Sequence, residues 1–220
     1  MTPELAGICP QLLAVDRSEM MIAKLWLGNS ENRHVLQDDW LTMELPRHGF
    51  AASIGDGSFN AVGYPEGHIR LYSQLRKFVA PGGQLVFRVY LTPDAGETVI
   101  DLVRLSTRAA DCSFQVFKWR LMMAMVSETG NPNININEVW LHFQRLFPDR
   151  MALSRATGWE MRDIDSIDVY RGSTEVYSFP TRAQLFDAIP PDFERTLKRV
   201  GSYELAERCP LLIIRLPKEE

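Results

Sequence analysis

The sequence contains few cysteines and no long apolar run. Cys9, Cys112 and Cys209 are far apart, and no two of them form a CxxC pair. An odd number of separated cysteines suggests neither a disulfide framework nor a thiolate zinc site, and it is typical of reduced cytosolic thiols. No stretch approaches the ~18 apolar residues that span a bilayer, and the first residues lack the pattern of a secretory signal. We therefore expect a cytoplasmic protein that does not enter a membrane.

The sequence also has little excess charge and no metal-binding pattern of histidines. Its formal net charge at pH 7 is −4, which gives no general reason for binding nucleic acid or an anionic membrane. His34, His48, His68 and His142 form no HxH or HExxH pattern, so no metal site is expected. A P-loop, a GxSxG elbow and a complete GxGxxG are absent as well. The expected partners are small molecules or proteins, and nothing indicates the oligomeric state.

The first half of the sequence alternates short apolar strands with helices. Ser18 fits the N-cap of a helix that reaches about Trp26, and helical spacing of apolar residues predicts a second helix over 67–79. The segments predicted to be strands are 12–15, 34–37, 50–54 and, after the predicted turn Pro81-Gly82-Gly83, 84–91. This order is typical of a parallel sheet with helices on both faces.

The carboxyl ends of parallel strands meet at one edge of the sheet, where ligands bind. Three acidic segments follow predicted strands, namely Asp16, then Asp38-Asp39-Trp40, then Gly55-Asp56-Gly57. The sequence therefore predicts that these segments share one rim although they are far apart along the chain.

The second half begins with longer helices. The apolar spacing predicts helices over 97–106, 114–128 and 137–147, which we interpret as an inserted helical cap. A short helix after Thr181 and two strands, 193–200 and 211–216, complete the chain. The short connection between these strands favours an antiparallel pair.

Five segments together resemble the class I S-adenosylmethionine-dependent methyltransferases. In chain order they are VDRSEMMIAKLW, QDDW, IGDGSFNAVGYP, LRKFVAPGGQLVFRVYL and SYELAERCPLLIIRLP. The resemblance implies an α/β fold with a three-layer Rossmann-like sheet, mostly parallel with a C-terminal antiparallel hairpin, plus a helical insertion. It divides the chain into a methyltransferase-like part (1–91), the insertion (92–177) and the remainder of the first domain (178–220). The implied activity is methyl transfer from S-adenosylmethionine to an unidentified small-molecule acceptor.

The resemblance also implies the cofactor-binding residues. Asp16 matches the acid that binds the ribose, while Arg17 and Met21 match positions around the adenine. Asp39 matches the acid that contacts the adenine amino group, with Trp40 beside the ring. The residues matched to the methionine end are Gly55, Asp56, Gly57 and Ser58, together with Thr2 and Glu4 in what resembles the tail of a cofactor loop, Thr2-Pro3-Glu4-Leu5-Ala6.

Each of these motifs also has a purely structural interpretation. Asp16 could be an acid favoured at the start of a helix, and the glycines beside Asp56 could only form a turn. Asn60 and Tyr64 are candidates for the acceptor side, and Arg88 needs a partner or an acidic substrate because it lies inside an apolar strand. Asp56 is the candidate base if the acceptor needs one.

The segment before Asp16 is too short for the family pattern. A first strand and its cofactor loop require roughly 30 residues before the acid, whereas only Met1 to Val15 precede it. In the family this strand lies between the second and the fourth. We expect that the natural protein is longer, that another segment or subunit fills the gap, or that the two strands close on each other, and we favour the first. A non-catalytic scaffold and a nicotinamide-dependent enzyme are the alternative functions.

Overall fold

The computed structural model describes residues 8–106 and 112–218. Its first unit is a two-stranded parallel sheet joined by a helix. β1 (Leu12–Asp16) pairs with β2 (Arg33–Gln37), and α1 (Glu19–Leu25) connects them. Ser18 caps α1, because its hydroxyl accepts a hydrogen bond from the Met21 amide at 3.2 Å. The predicted strand, cap and helix are thus confirmed to within a residue or two.

The second unit is a four-stranded sheet with its strands in the order β3 (Phe50–Asp56), β4 (Val79–Arg88), β8 (Leu211–Arg215) and β7 (Glu194–Lys198). β3 (Phe50–Asp56) and β4 (Val79–Arg88) are parallel and are joined by α2 (Glu66–Phe78). The last two strands of the chain, β7 (Glu194–Lys198) and β8 (Leu211–Arg215), are antiparallel, and β8 lies beside β4. The parallel β3–β4 pair and the antiparallel β7–β8 pair make this a mixed sheet, and they confirm the predicted α/β fold with its C-terminal antiparallel hairpin.

The expected single sheet is divided in two. In residues 8–106 and 112–218, β1 pairs only with β2, and β3 pairs only with β4. Direct closure of β1 on β3, one of the three expected outcomes, therefore does not occur in the described chain. The division falls between β1 and β3, where the family pattern has its first strand.

The predicted turn at Pro81-Gly82-Gly83 is a bulge inside β4. The strand begins at Val79, and its pairing with β3 jumps from Phe50↔Val79 to Ala52↔Gln84. Gly82 has a φ of +73°, a conformation that glycine adopts without the steric penalty of a side chain. The Gly82 amide donates to the Pro217 carbonyl at 2.9 Å, which ties the bulge to the end of the chain.

The described residues between 92 and 177 form mainly helices, as predicted. The helices are α3 (Val99–Ser106), α4 (Phe114–Thr129), α5 (Ile136–Leu146), α6 (Arg150–Thr157), α7 (Met161–Asp165) and a 3-10 turn at Ser166–Tyr170. α4 supplies much of a buried cluster, in which the Phe117 and Leu121 side chains are completely enclosed. A small antiparallel sheet of β5 (Asn133–Asn135) and β6 (Val176–Ser178) was not predicted.

The apolar core has two parts. One cluster lies mainly in the helical segment and also includes Phe179, Leu205 and Cys209, and the other fills the space between α2, the four-stranded sheet and α8 (Arg182–Asp187). The first cluster thus crosses the proposed boundary at 177, and the division of the chain at 92 and 177 stays a prediction. In the part of the chain that the structure describes, no helix is both long and apolar enough to span a membrane.

Candidate functional site

The carboxyl ends of β1 and β2 bring two of the predicted acids together. The Asp38 amide donates to the Asp16 carbonyl at 3.2 Å, so the segment after β2 continues alongside the end of β1. Asp16 Oδ1 accepts a hydrogen bond from the Ser18 amide at 2.8 Å, and Asp39 Oδ1 accepts one from the Leu41 amide at 2.8 Å. One oxygen of each carboxylate therefore holds the local backbone in place.

Trp40 lies beside this pair of strand ends. Its indole N–H donates to the Val15 carbonyl on β1 at 2.7 Å, and its ring packs against the core of the four-stranded sheet. The indole is thus held between the two sheets and next to Asp16. This places an aromatic ring next to the strand end that carries Asp16, and the implied position of Trp40 beside the adenine ring stays a prediction.

The other two residues predicted near the adenine point toward solvent. Arg17 forms an ion pair with Glu175, which lies immediately before β6. Met21, on α1, is exposed. The Arg17 pair joins the first unit to the helical segment, a contact that the sequence did not predict because the partners are so far apart along the chain.

Gly55, inside β3, and Gly57, just after it, are glycine for different structural reasons. A side chain at Gly55 would meet the Phe87 ring at 2.4 Å and the Ser58 hydroxyl at 2.5 Å. Gly57 has a φ of +69° and begins a tight turn, in which the Asn60 amide donates to the Gly57 carbonyl at 3.0 Å. Both positions therefore require glycine without any ligand, as the structural interpretation of this segment allows.

Asp56 and Arg88 form an ion pair at the ends of β3 and β4. They are register partners in the ladder, and Arg88 Nε donates to Asp56 Oδ1 at 2.7 Å, while Nη2 donates to Oδ2. The hydroxyl of Tyr90 donates to Asp56 Oδ1 at 3.3 Å, and the Arg88 guanidinium lies over the Tyr203 ring at 5.6 Å. The hydrogen bonds that Arg88 donates to Asp56 raise the pKa of the guanidinium. The partner that Arg88 needed is therefore the candidate base itself, and both carboxylate oxygens of Asp56 are engaged.

The side chains of Asn60 and Tyr64 form hydrogen bonds with main-chain atoms. The Asn60 side chain is buried, its Nδ2 donates to the Tyr90 and Ser178 carbonyls at 2.8 and 2.7 Å, and its Oδ1 accepts from the Tyr90 amide at 2.9 Å. The Tyr64 hydroxyl donates to the Gln184 carbonyl at 3.0 Å. The structure thus gives both side chains a linking role, and their contact with an acceptor stays a prediction that this geometry does not favour.

A stack of aromatic rings connects the rim to the helical segment. Tyr90 stacks on Trp119 of α4 with ring centroids 4.5 Å apart and an angle of 12°. Trp119 in turn lies nearly parallel to Tyr177 of β6, at 6.4 Å and 16°. Burial raises the pKa of the Tyr90 phenol. The sequence analysis missed these residues, although Tyr90 follows Arg88 at the end of a predicted strand and could have been included on that ground.

Two predicted cofactor residues, Thr2 and Glu4, lie outside the described residues. Within 8–106 and 112–218, no three His, Cys, Asp or Glu side chains are grouped closely enough to hold a metal ion. The described residues fit the nucleoside half of S-adenosylmethionine, because a strand-end carboxylate, a second acid and an aromatic ring lie together at Asp16, Asp39 and Trp40. Of the residues predicted for the methionine end, those within 8–106 and 112–218 are Gly55 to Ser58, and their contact with a cofactor stays a prediction.

Comparison with known proteins supports this fold. No family model matches the sequence, and no curated protein sequence matches it. An S-adenosylmethionine-dependent methyltransferase of Mesorhizobium loti is 15% identical, with 94% of this chain and 81% of that chain covered and a TM-score of 0.50. One from Methanosarcina mazei is 10% identical, with 100% and 88% covered and a TM-score of 0.54.

A third solved structure has a different name. A Rhodobacter sphaeroides protein, provisionally named as a zinc-dependent alcohol dehydrogenase, is 12% identical, with 96% of this chain and 76% of that chain covered and a TM-score of 0.56. At such low identities the likeness shows the fold alone. The chain has the Rossmann-like α/β fold found in S-adenosylmethionine-dependent methyltransferases, as the sequence resemblance implied.

Proposed function

We propose that this chain is an S-adenosylmethionine-dependent methyltransferase acting on a small-molecule acceptor. The observation that carries the proposal is the position of Asp16 at the carboxyl end of β1, with Asp39 and Trp40 beside it. A ribose diol needs a fixed acceptor of hydrogen bonds, and a short carboxylate at a strand end supplies one. Asp16 uses Oδ1 for the Ser18 amide, so we assign Oδ2 to a ribose hydroxyl.

When bound, S-adenosylmethionine supplies a methyl group on a positively charged sulfur. The reaction is a displacement in line with the breaking bond, so the protein mainly has to hold the acceptor in position and exclude water. We assign this task to the helical segment, which reaches the rim through the stack of Tyr90, Trp119 and Tyr177. An acceptor that is already nucleophilic needs no base.

Asp56 remains our candidate base, with a restriction that its ion pair imposes. Both oxygens of Asp56 already accept hydrogen bonds from Arg88, so neither is free to receive a proton from an acceptor in this geometry. We therefore expect Asp56 to orient Arg88 and Tyr90 at the rim, and to take a proton only if the acceptor displaces the guanidinium.

A calorimetric titration with S-adenosylmethionine tests the proposal. Because a hydrogen bond to a charged group contributes about 1.5–3 kcal/mol, Asp16→Asn is expected to weaken binding by roughly tenfold or more. Asp38→Asn is the matched control, since the neighbouring acid has no assigned contact with the nucleoside, and we expect its affinity within about twofold of the parent chain. Equal losses in both variants would remove the assignment of Asp16.

The second candidate is a scaffold that has this fold but no catalytic activity. The division of the sheet between β1 and β3 favours it, because this opening lies within the half of the fold that would hold the cofactor. Absence of S-adenosylmethionine binding would support the scaffold. Binding of NAD instead would support a nicotinamide-dependent enzyme, which the antiparallel β7–β8 pair argues against. The cytoplasmic location stays a prediction from the cysteine pattern.

A further inference from the structure

Lys118 lies on the face of α4 that packs against the 3-10 turn at Ser166–Tyr170. One turn earlier on this face, Gln115 Nε2 donates a hydrogen bond to Ser166 Oγ at 3.2 Å. The amine nitrogen of Lys118 lies over the Tyr170 ring, 5.2 Å from its centroid. Lys118 is only 7% exposed and Tyr170 only 6%. α4 thus places a basic side chain inside the helical segment.

No acidic side chain of the described residues offsets the charge of Lys118. These residues give its amine no ion pair, and burial alone lowers its pKa. The nitrogen is not among the described polar atoms that are enclosed without a partner, so the tip of the side chain reaches solvent although its stem is covered. An ammonium that is largely desolvated and unpaired is costly. An anion bound at this tip would remove much of that cost.

Lys118 lies at the end of a row of aromatic rings that begins at the rim. Tyr90 stacks on Trp119, and Trp119 lies nearly parallel to Tyr177. The Tyr177 ring then meets the Tyr170 ring, with centroids 6.5 Å apart and an angle of 70°. The first three rings of this aromatic row are partly exposed. The row therefore offers ring surface between the rim and the amine of Lys118.

Tyr177 also connects the aromatic row to the carboxyl end of β1. Burial raises the pKa of its phenol, the charge of Glu175 raises it further, and the charge of Arg17 lowers it. Both charges act because the phenol lies close to the ion pair that these two residues form. Arg17 directly follows Asp16, so the row lies near the strand end that carries the candidate ribose acid.

We propose that Lys118 binds the carboxylate of a small aromatic acid, and that such acids are the methyl acceptors of this protein. One ammonium neutralises the single charge of a carboxylate but leaves a phosphate dianion with excess charge. The rings of Tyr177 and Tyr170 supply a surface on which a flat ligand packs. Naming the acid as the acceptor rests on the proposed methyl transfer, whereas its binding at Lys118 does not.

Replacing Lys118 with methionine separates a binding role from a structural one. If the amine serves a ligand, Lys118→Met removes an unpaired, desolvated charge and should raise the urea midpoint of the ligand-free chain by about 0.5 M. If the amine instead stabilises the fold through the Tyr170 ring, the same variant lowers the midpoint. Lys24→Met, at an exposed lysine on α1, is the matched control and should leave the midpoint unchanged.

Binding is tested with benzoate, titrated into the 220-residue chain without cofactor and followed by the NMR signal of the Trp119 indole. Benzamide has the same ring without the charge, and acetate has the charge without the ring. We expect a dissociation constant of about 1 mM or less for benzoate, and binding at least about tenfold weaker for both controls. Lys118→Met should weaken benzoate at least about tenfold, whereas Lys24→Met should not. Bound benzoate should also raise the pKa of the Lys118 amine toward its ordinary value.

Three results would each overturn the proposal. They are a lower urea midpoint or a failure to fold in Lys118→Met, equal binding of benzoate and benzamide, and unchanged benzoate binding in Lys118→Met. Binding of S-adenosylmethionine without binding of benzoate would refute the acid site and leave the proposed methyl transfer intact. Binding of benzoate through Lys118 without any binding of S-adenosylmethionine would support the acid site and refute the acid as a methyl acceptor.

Discussion

Replacing Asn60 with alanine is expected to lower the free energy of unfolding by about 3 kcal/mol. The side chain is 2% exposed and makes three hydrogen bonds to the main chain, two with Tyr90 and one with Ser178. Each such bond contributes about 1 kcal/mol net, and leaving a buried partner unpaired adds to the loss. These bonds join the loop after β3, the end of β4 and β6, so the variant should weaken the connection between the four-stranded sheet and the helical segment.

The assay is equilibrium unfolding in urea at pH 7. With a dependence on denaturant of about 2 kcal/mol per molar, the midpoint should fall by about 1.5 M. Asn131→Ala is the matched control, because this exposed side chain only accepts one bond from the Asn133 amide at 3.0 Å, and we expect a loss below about 1 kcal/mol. Asn60→Asp, which keeps the size but removes the donor, should cost at least as much as alanine at this pH.

The result that would refute this reasoning is a stable Asn60→Ala variant. A loss of unfolding free energy within about 1 kcal/mol, combined with lost methyl transfer, would support the predicted contact of Asn60 with the methyl acceptor. A large loss of stability with the same dependence on urea would support the linking role.

Three further perturbations have defined outcomes. Burial lowers the pKa of His68 to about 4, against about 6.5 in the unfolded chain. The free energy of unfolding in urea should therefore be highest above pH 6.5 and fall by about 3 kcal/mol toward pH 4. His68→Gln should remove this fall, and a variant with the same pH profile as the parent would contradict the assignment. Gly55→Ala should lower the free energy of unfolding by about 1–3 kcal/mol, because the added methyl group overpacks against Phe87. Gly63→Ala is the control, since the atom nearest to its added methyl group is 3.8 Å away. Equal shifts of the melting temperature in the two variants would argue against the steric explanation. Burial raises the pKa of Glu97, but hydrogen bonds and charge from Arg120 and Arg208 outweigh it and lower the pKa, so Glu97→Gln should lower the free energy of unfolding in urea by about 2 kcal/mol. The control is Arg162→Gln, at a 78% exposed side chain, which should cost under about 0.5 kcal/mol. A similar loss in both variants would show that the ion pairs of Glu97 contribute no more than a surface pair.

The elements that the sequence predicted correctly are those whose signals are local. β1 and α1 follow from an apolar run and the Ser18 cap, and α8 follows from Thr181, whose side chain and that of Gln184 form a reciprocal cap. The start of β4 was placed five residues late, because Pro81-Gly82-Gly83 is typical of a turn when pairing is unknown. Its ladder with β3 and the link from Gly82 to Pro217 keep the strand continuous.

The short elements between α5 and α8 could not be predicted in the same way. α6, α7 and the 3-10 turn each have five to eight residues, which is too few for a helical period to stand out. β5 and β6 have three residues each, and they form only through their pairing with each other, which begins at Asn133 and Ser178. Such elements depend on contacts between distant residues.

The candidate site was predicted in its parts but not in its contacts. The sequence placed Asp16, Asp39 and Asp56 correctly at or just after strand ends, but the strands belong to two separate sheets, so a rim shared by all three acids stays a prediction. The pairing of Asp56 with Arg88 requires the register of β3 against β4, and no local pattern in the sequence fixes that register. Asn60 was assigned to an acceptor for the same reason, since its partners at Tyr90 and Ser178 are distant in sequence.

The lack of any buried residue from 8 to 42 has a thermodynamic consequence for the acid at position 16. A segment with so little apolar burial opens at a small fraction of the free energy that unfolds the whole chain. A ligand held by Asp16 must then bind the fraction of molecules in which β1 and α1 are folded against the rest of the chain. Its apparent dissociation constant rises in inverse proportion to that fraction. Stabilising β1 and α1 would therefore strengthen the ligand without adding a single contact to it.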